Sequence, residues 1–153
     1  MGVSVPRNQS KSKTPQYTYS PSPSKTPGYL GLPNIENRHL AWRFSSADIN
    51  GPYSCGSFTL DDHRLLWERL REFEGMNIAS LRKQGSYHPL DPANAEREAK
   101  HRLQELRLDD LTMLHSFRIQ GKLRLWCMQH ENIMSILWWD RDHAVCLSRK
   151  KGS

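Results

Sequence analysis

With 153 residues, a formal charge of +6 and 37% hydrophobic residues, the chain has room for one modest core of about 115 to 120 residues and for no second one. No apolar run approaches the roughly 18 to 20 residues that span a bilayer, and residues 1–10 lack the apolar segment of a secretory signal, so the composition argues against a membrane protein and points to the cytosol. Cys55, Cys127 and Cys146 make an odd number and are expected as thiols. The cationic excess favours an anionic partner, because lysines and arginines that neutralise phosphates release condensed counterions.

Residues 1–34 hold six of the nine prolines, many serines and threonines, and the cations Arg7, Lys11, Lys13 and Lys25, while Glu36 is the first acid. Such a segment buries too little apolar surface to offset its ordering entropy, so a disordered basic tail is expected. A single domain should then occupy 35–148, ahead of a basic end at 149–153. Residues 39–45 alternate Leu40, Trp42 and Phe44 against polar or small neighbours, which predicts a short strand. Thr59 followed by Asp61 and Asp62 is a helix start, with Leu66, Leu70 and Phe73 on one face and Gly75 at the end, so a helix is predicted over 60–74. Residues 77–83 read as a helical turn closed by Gly85. After Pro89 and Pro92, the spacing of Ala95, Ala99, Leu103 and Leu106 predicts a second amphipathic helix over 93–106.

The apolar period then changes from about 3.6 to 2. His115, Phe117 and Ile119, and after Gly121 the trio Leu123, Leu125 and Cys127, predict a hairpin. A three-residue loop, Gln120-Gly121-Lys122, pairs Ile119 with Leu123, Phe117 with Leu125 and Arg118 with Arg124, whereas a two-residue loop sets Phe117 against Arg124 and mixes the faces. His130-Glu131-Asn132 is the next turn. Residues 133–139 form a nearly continuous apolar strand, and 144–147 a last short one. The expected class is α+β, with two amphipathic helices packed on a small antiparallel sheet.

In this register Arg118 and Arg124 share a sheet face. A fixed arginine pair can hold a phosphate bidentately, and Lys122, Arg141, Lys150 and Lys151 can add charge around it. His143, between Asp142 and Ala144 and close to Asp140, titrates near neutrality if a carboxylate orients it. Trp67 and Trp126 are read as packing residues. Trp138 and Trp139 are adjacent, so on a strand their rings face opposite sides, both most simply in the core. No Gly-rich phosphate loop, serine-histidine-acid spacing or nucleotide fingerprint occurs, and no cofactor is expected.

The segments Phe117-Arg-Ile-Gln-Gly-Lys-Leu-Arg-Leu-Trp126 and Ile136-Leu-Trp-Trp-Asp-Arg-Asp-His-Ala-Val145, about a third of the chain, resemble RelE-type toxins: helices feeding an antiparallel sheet, an arginine strand and a late histidine. They are also similar to small bacterial and mobile-element proteins with a Gly-Lys-x-Arg-x-Trp and Leu-Trp-Trp-Asp pattern. The resemblance implies metal-independent cleavage of mRNA at the ribosome by attack of a ribose 2′-hydroxyl on the adjacent phosphate, and an antitoxin partner that covers the basic face. Arg124 matches the family's strand arginine and His143 resembles its late acid/base group. The family often places a tyrosine beside that group, where this chain has Ala144.

Two alternatives stand beside this reading. One is a non-catalytic module of a mobile element or phage that binds nucleic acid or protein through the same face. The other is a small zinc-stabilised module, from the pairs Cys127-x2-His130 and His143-x2-Cys146 separated by twelve residues. Against zinc, residues i and i+3 on a strand point to opposite faces.

Overall fold

The computed structural model describes residues 37–147. The expected tail over 1–34 and the basic end over 149–153, with Lys150 and Lys151, lie outside the described residues.

The fold is α+β. In chain order it comprises β1 (Ala41–Arg43), α1 (Leu60–Glu74), α2 (Ile78–Lys83), β2 (Tyr87–Leu90), α3 (Arg97–Glu105), β3 (Leu114–Gln120), β4 (Leu123–His130) and β5 (Ile133–Asp140). The strands form one mixed sheet of order β1-β5-β4-β3-β2, in which β1 runs parallel to β5 and the other neighbours are antiparallel. Leu66, Leu70 and Phe73 of α1 and Ile78 and Leu81 of α2 pack on one face, with Phe117, Leu125, Cys127 and Trp139. Ala99 and Leu103 of α3 pack on the other, with Leu114, Trp126, Leu137 and Trp138. Among the described residues, no helix is long and apolar enough to cross a membrane.

The predicted bounds of α1 match because its start is encoded locally. The Thr59 hydroxyl accepts from the Asp62 amide at 3.2 Å, and the Asp62 carboxylate accepts from the Thr59 amide at 2.7 Å, a reciprocal capping box. The expected turn at 77–83 is a third helix, α2, because Asn77 caps it by accepting from the Ser80 amide at 2.8 Å. The helix expected over 93–106 begins only at Arg97. Asp91 instead caps a short 3-10 turn over Pro92–Asn94, and Ala95 is extended.

Two strands enlarge the expected sheet. β1, shorter than predicted, pairs in parallel with β5, so the sheet is mixed and not antiparallel throughout as expected, and β2 had been hidden by Pro89. A proline lacks the amide that an inner strand must donate, but β2 is an edge strand and its outer side needs no donor. The predicted last strand at 144–147 does not form. The Asp140 carboxylate accepts from the amides of Ala144 at 2.8 Å and Val145 at 3.0 Å, taking the donors a ladder would have used.

The hairpin keeps Phe117 opposite Leu125 and Arg118 opposite Arg124, as the alternation requires, yet its loop is the two-residue Gly121-Lys122. A bulge between Arg118 and Gln120 reconciles the two: Ile119 drops out of the ladder and Gln120 faces Leu123. The Ile119 carbonyl instead accepts from Arg69 Nε at 2.9 Å. A second register shift sets Trp126 opposite Trp138 but Cys127 opposite Ile136, so Leu137 and Trp138 both join the α3-side core. Trp139 faces α1, so the adjacent tryptophans are both core, on opposite sides. Burial of both faces is the reason β5 shows no alternation.

One core contact predicts a pH effect. The Tyr87 hydroxyl lies 2.6 Å from His115 Nδ1 and donates to Gln129 Oε1 at 3.2 Å. Burial, then the nearby Arg82, lowers the His115 pKa from 6.5 to about 4. The unfolded chain therefore binds a proton that the folded chain refuses between these values, and stability falls as pH drops through that window. With allowance for solvent at the ring edge, the loss should be about 2 kcal/mol. Urea unfolding at pH 7 and at pH near the lower end of the window should show it, and His115→Gln should flatten the difference.

Candidate anion-binding cleft

Alternation along β3 and β4 and their register put Ser116, Arg118, Arg124 and Trp126 on one sheet face. The α3-side core covers part of that face and leaves the hairpin end open. The opening is also lined by His88, Pro89 and Leu90 of β2 and by His143 and Cys146 of the segment after β5. The cleft encloses about 240 Å³. It brings together Arg118, Arg124 and His143, three residues that sequence reasoning had placed in one site.

The geometry makes Arg124 the central cation. It is 8% exposed, and its Nη1 donates to the carbonyls of Gly121 at 2.7 Å and Leu123 at 3.0 Å, which fixes the guanidinium against its own turn. Arg118 stands directly across the ladder, and like charges so paired repel. Burial first, and then Arg118, lower the Arg124 pKa, while Asp140 on β5 opposes them. Asp140 is the cross-strand neighbour of Arg124 on the other side and is 1% exposed. Its oxygens also accept from Trp126 Nε1 at 3.2 Å and from the two loop amides, so one carboxylate serves several donors. Neither Arg118 nor Arg124 forms an ion pair among the described residues.

His143 has φ 60°, in the left-handed region that favours glycine. Asp140 holds the two amides that follow, so the bend is imposed, at a cost of order 1 kcal/mol. A carboxylate was expected to keep this imidazole near neutrality. Asp140 does pull its pKa upward, but burial and then Arg124 outweigh it, and Arg118 and His88 add to the lowering. The net effect holds its pKa below the ordinary 6.5, which favours the proton-accepting form of the ring.

Other candidates fall elsewhere. Lys122 is exposed in the hairpin turn, outside the cleft lining. Arg141 binds the Asp62 carboxylate and the Ser57 carbonyl at the start of α1, so it ties the β5 end to that helix instead of lining the cleft. The zinc alternative fails on geometry: Cys127 is buried under α1 and α2, while Cys146 packs on the α3 side. Among the described residues no group of three or more metal-ligating side chains converges. Trp126 is core as expected, but Trp67 is 59% exposed, beside Phe44 at 6.2 Å between ring centroids. It lies outside the apolar stripe set by Leu66, Leu70 and Phe73.

His88 was missed. It sits beside Pro89 in a stretch read as a break, and only pairing with β3, which sets it opposite Ser116, turns it onto the cleft face. A larger cavity of about 300 Å³ lies between the Pro92 turn and α3. It holds Asp91, Asp109 and Lys100 and none of the cleft's arginines or histidines. Chemistry therefore favours the smaller opening. No protein-family model matches the chain, and no curated protein or solved structure matches it either.

Proposed function

We propose that the cleft holds a phosphodiester of RNA and cleaves it without a metal ion, as RelE-type toxins do, with mRNA on the ribosome as substrate and an antitoxin as the protein that covers the cationic face. The supporting observation is the meeting of Arg118, Arg124 and His143 in one opening in which the two guanidiniums lack an ion-pair partner among the described residues. An entering phosphate relieves the repulsion between the arginines and takes up their charge-assisted donors. His143, whose pKa burial and then Arg124 lower, is suited to remove the 2′-hydroxyl proton. The arginines are suited to stabilise the charge that builds on the phosphate oxygens. Such a protein acts in the cytoplasm.

Induced expression of the full chain should arrest translation and fragment mRNA, and both Arg124→Ala and His143→Ala should abolish the effect. Removal of a general base lowers such rates by about 100-fold or more. Undisturbed growth and intact RNA at high expression would overturn the proposal. Ala144, in the place where the resembled family often has a tyrosine, favours a second reading: a nucleic-acid-binding module without turnover. In that case RNA binds in a salt-dependent manner, stays intact, and is indifferent to His143→Ala.

A further inference from the structure

Transfer of a phosphodiester to a 2′-hydroxyl removes one proton and delivers another in the same event, so one imidazole cannot supply both functions at once. The cleft lining narrows the choice of the second group. Its arginines stay protonated. Asp140, the cross-strand partner of Arg124, is not in the lining, and its oxygens are already engaged by Trp126 and the two loop amides. Cys146 is a half-buried thiol directed at the Asn94 carbonyl, at 3.9 Å. His88 is the remaining titratable side chain.

The position of His88 is specific. It comes from β2, next to β3, and it lines the same opening as Arg118, Arg124 and His143. Its Nε2 lies 3.0 Å from the Gly85 carbonyl. A carbonyl oxygen only accepts, so Nε2 carries a hydrogen in this contact, whatever the charge of the ring. Nδ1 is consequently the ring nitrogen that this contact leaves unengaged. Gly85, at φ 75°, adopts the left-handed conformation that closes α2, and its carbonyl anchors the ring on the rigid end of that turn. The exposed ring has solvent from which to regain a proton after each turnover.

Resting on the reading of the cleft as an RNA-cleaving site, we infer that His88 is the general acid paired with His143 as general base. The 2′-hydroxyl proton passes to a ring nitrogen of His143 as O2′ bonds to phosphorus. The bond from phosphorus to O5′ breaks, its electron pair stays on O5′, and that oxygen takes the Nδ1 proton of His88. Arg118 and Arg124 hold the non-bridging oxygens. The products are a 2′,3′-cyclic phosphate and a 5′-hydroxyl, and neither a redox partner nor water enters the step.

The test uses the purified full chain and two short RNA oligonucleotides of one sequence, one natural and one with sulfur in place of O5′ at the cleaved linkage. A thiolate leaves without protonation, so only the natural linkage needs the acid. His88→Ala should slow cleavage of the natural RNA by about 100-fold and leave the sulfur-substituted RNA within about threefold of wild type. His143→Ala should slow both. Near wild-type cleavage of the sulfur-substituted RNA by the His88→Ala protein, with an unchanged thermal melt, separates loss of a proton donor from loss of the fold. Equal slowing of both oligonucleotides by His88→Ala, or no slowing of either, overturns the assignment of His88 and leaves the cleavage reading standing. A wild-type protein that cuts neither overturns the cleavage reading, and the assignment falls with it.

Discussion

Asp48→Ala should destabilise the fold by about 3 kcal/mol and lower its melting temperature by about 10 °C. Asp48 is buried, and Arg102 of α3 grips both its oxygens, through Nε at 2.8 Å and Nη2 at 2.7 Å. Trp138 Nε1 and the amides of Asn50 and Gly51 donate to the same carboxylate at 3.0 to 3.2 Å. The Asp48 amide donates to the Leu137 carbonyl at 2.9 Å, so one residue clamps the loop after β1, the outer edge of β5 and α3. A side chain on Gly51 would collide with the Asp48 carboxylate and the Arg102 guanidinium, which is why a glycine stands there. Removing the carboxylate leaves the Trp138 indole and the Asn50 and Gly51 amides without this acceptor and Arg102 with only Glu105, 2.8 Å from its Nη1.

The Arg102 hydrogen bond holds the Asp48 pKa below its ordinary 3.8. A depressed carboxylate stabilises the fold above its unfolded value and stops doing so as pH falls through the folded one. Acid unfolding of the wild type should therefore steepen below about pH 4, and Asp48→Ala should lose that limb. Urea unfolding of wild type, Asp48→Ala and Arg102→Met, with the double variant to close the cycle, measures the coupling. A loss under about 1 kcal/mol for Asp48→Ala would show that the clamp is dispensable.

Arg124→Met should have opposite effects on stability and binding: about 1 kcal/mol more stable, with phosphate affinity lowered by about 100-fold. Burial and Arg118 both disfavour the Arg124 cation, and the opposing pull of Asp140 is shared with three hydrogen-bond donors. A methionine of similar length fills the space and removes the repulsion across the ladder. It also removes the two turn contacts of Nη1, but the hairpin turn is exposed and water can replace them. Arg118→Met changes an exposed residue and should alter stability little. Thermal melts with titration of inorganic phosphate give both quantities. Destabilisation by Arg124→Met beyond about 1 kcal/mol would make the arginine a structural brace of the turn and remove the main argument for an anion site.

How much could be read in advance follows the range of the forces. The α1 bounds came from Thr59, Asp62 and the Leu66, Leu70, Phe73 spacing, all within one helix. The opposition of Arg118 and Arg124 came from the rule that Phe117 and Leu125 must share the core face. The loop length was misjudged because a bulge at Ile119 restores the faces that a two-residue turn would otherwise mix. β2 was hidden because a proline reads as a break until one knows that the strand has a free edge. His88 was hidden with it.

The predicted hairpin and its paired arginines were thus determined by the sequence alone, since alternation acts between residues that the turn makes neighbours. Tertiary structure decided the rest: the parallel pairing of β1 with β5, the covering of both sheet faces, and the gathering of His88 and His143 into one opening with those arginines. Contacts between segments far apart in the chain leave no local period to read, because each is selected by the burial of surfaces that exist only once the sheet has formed.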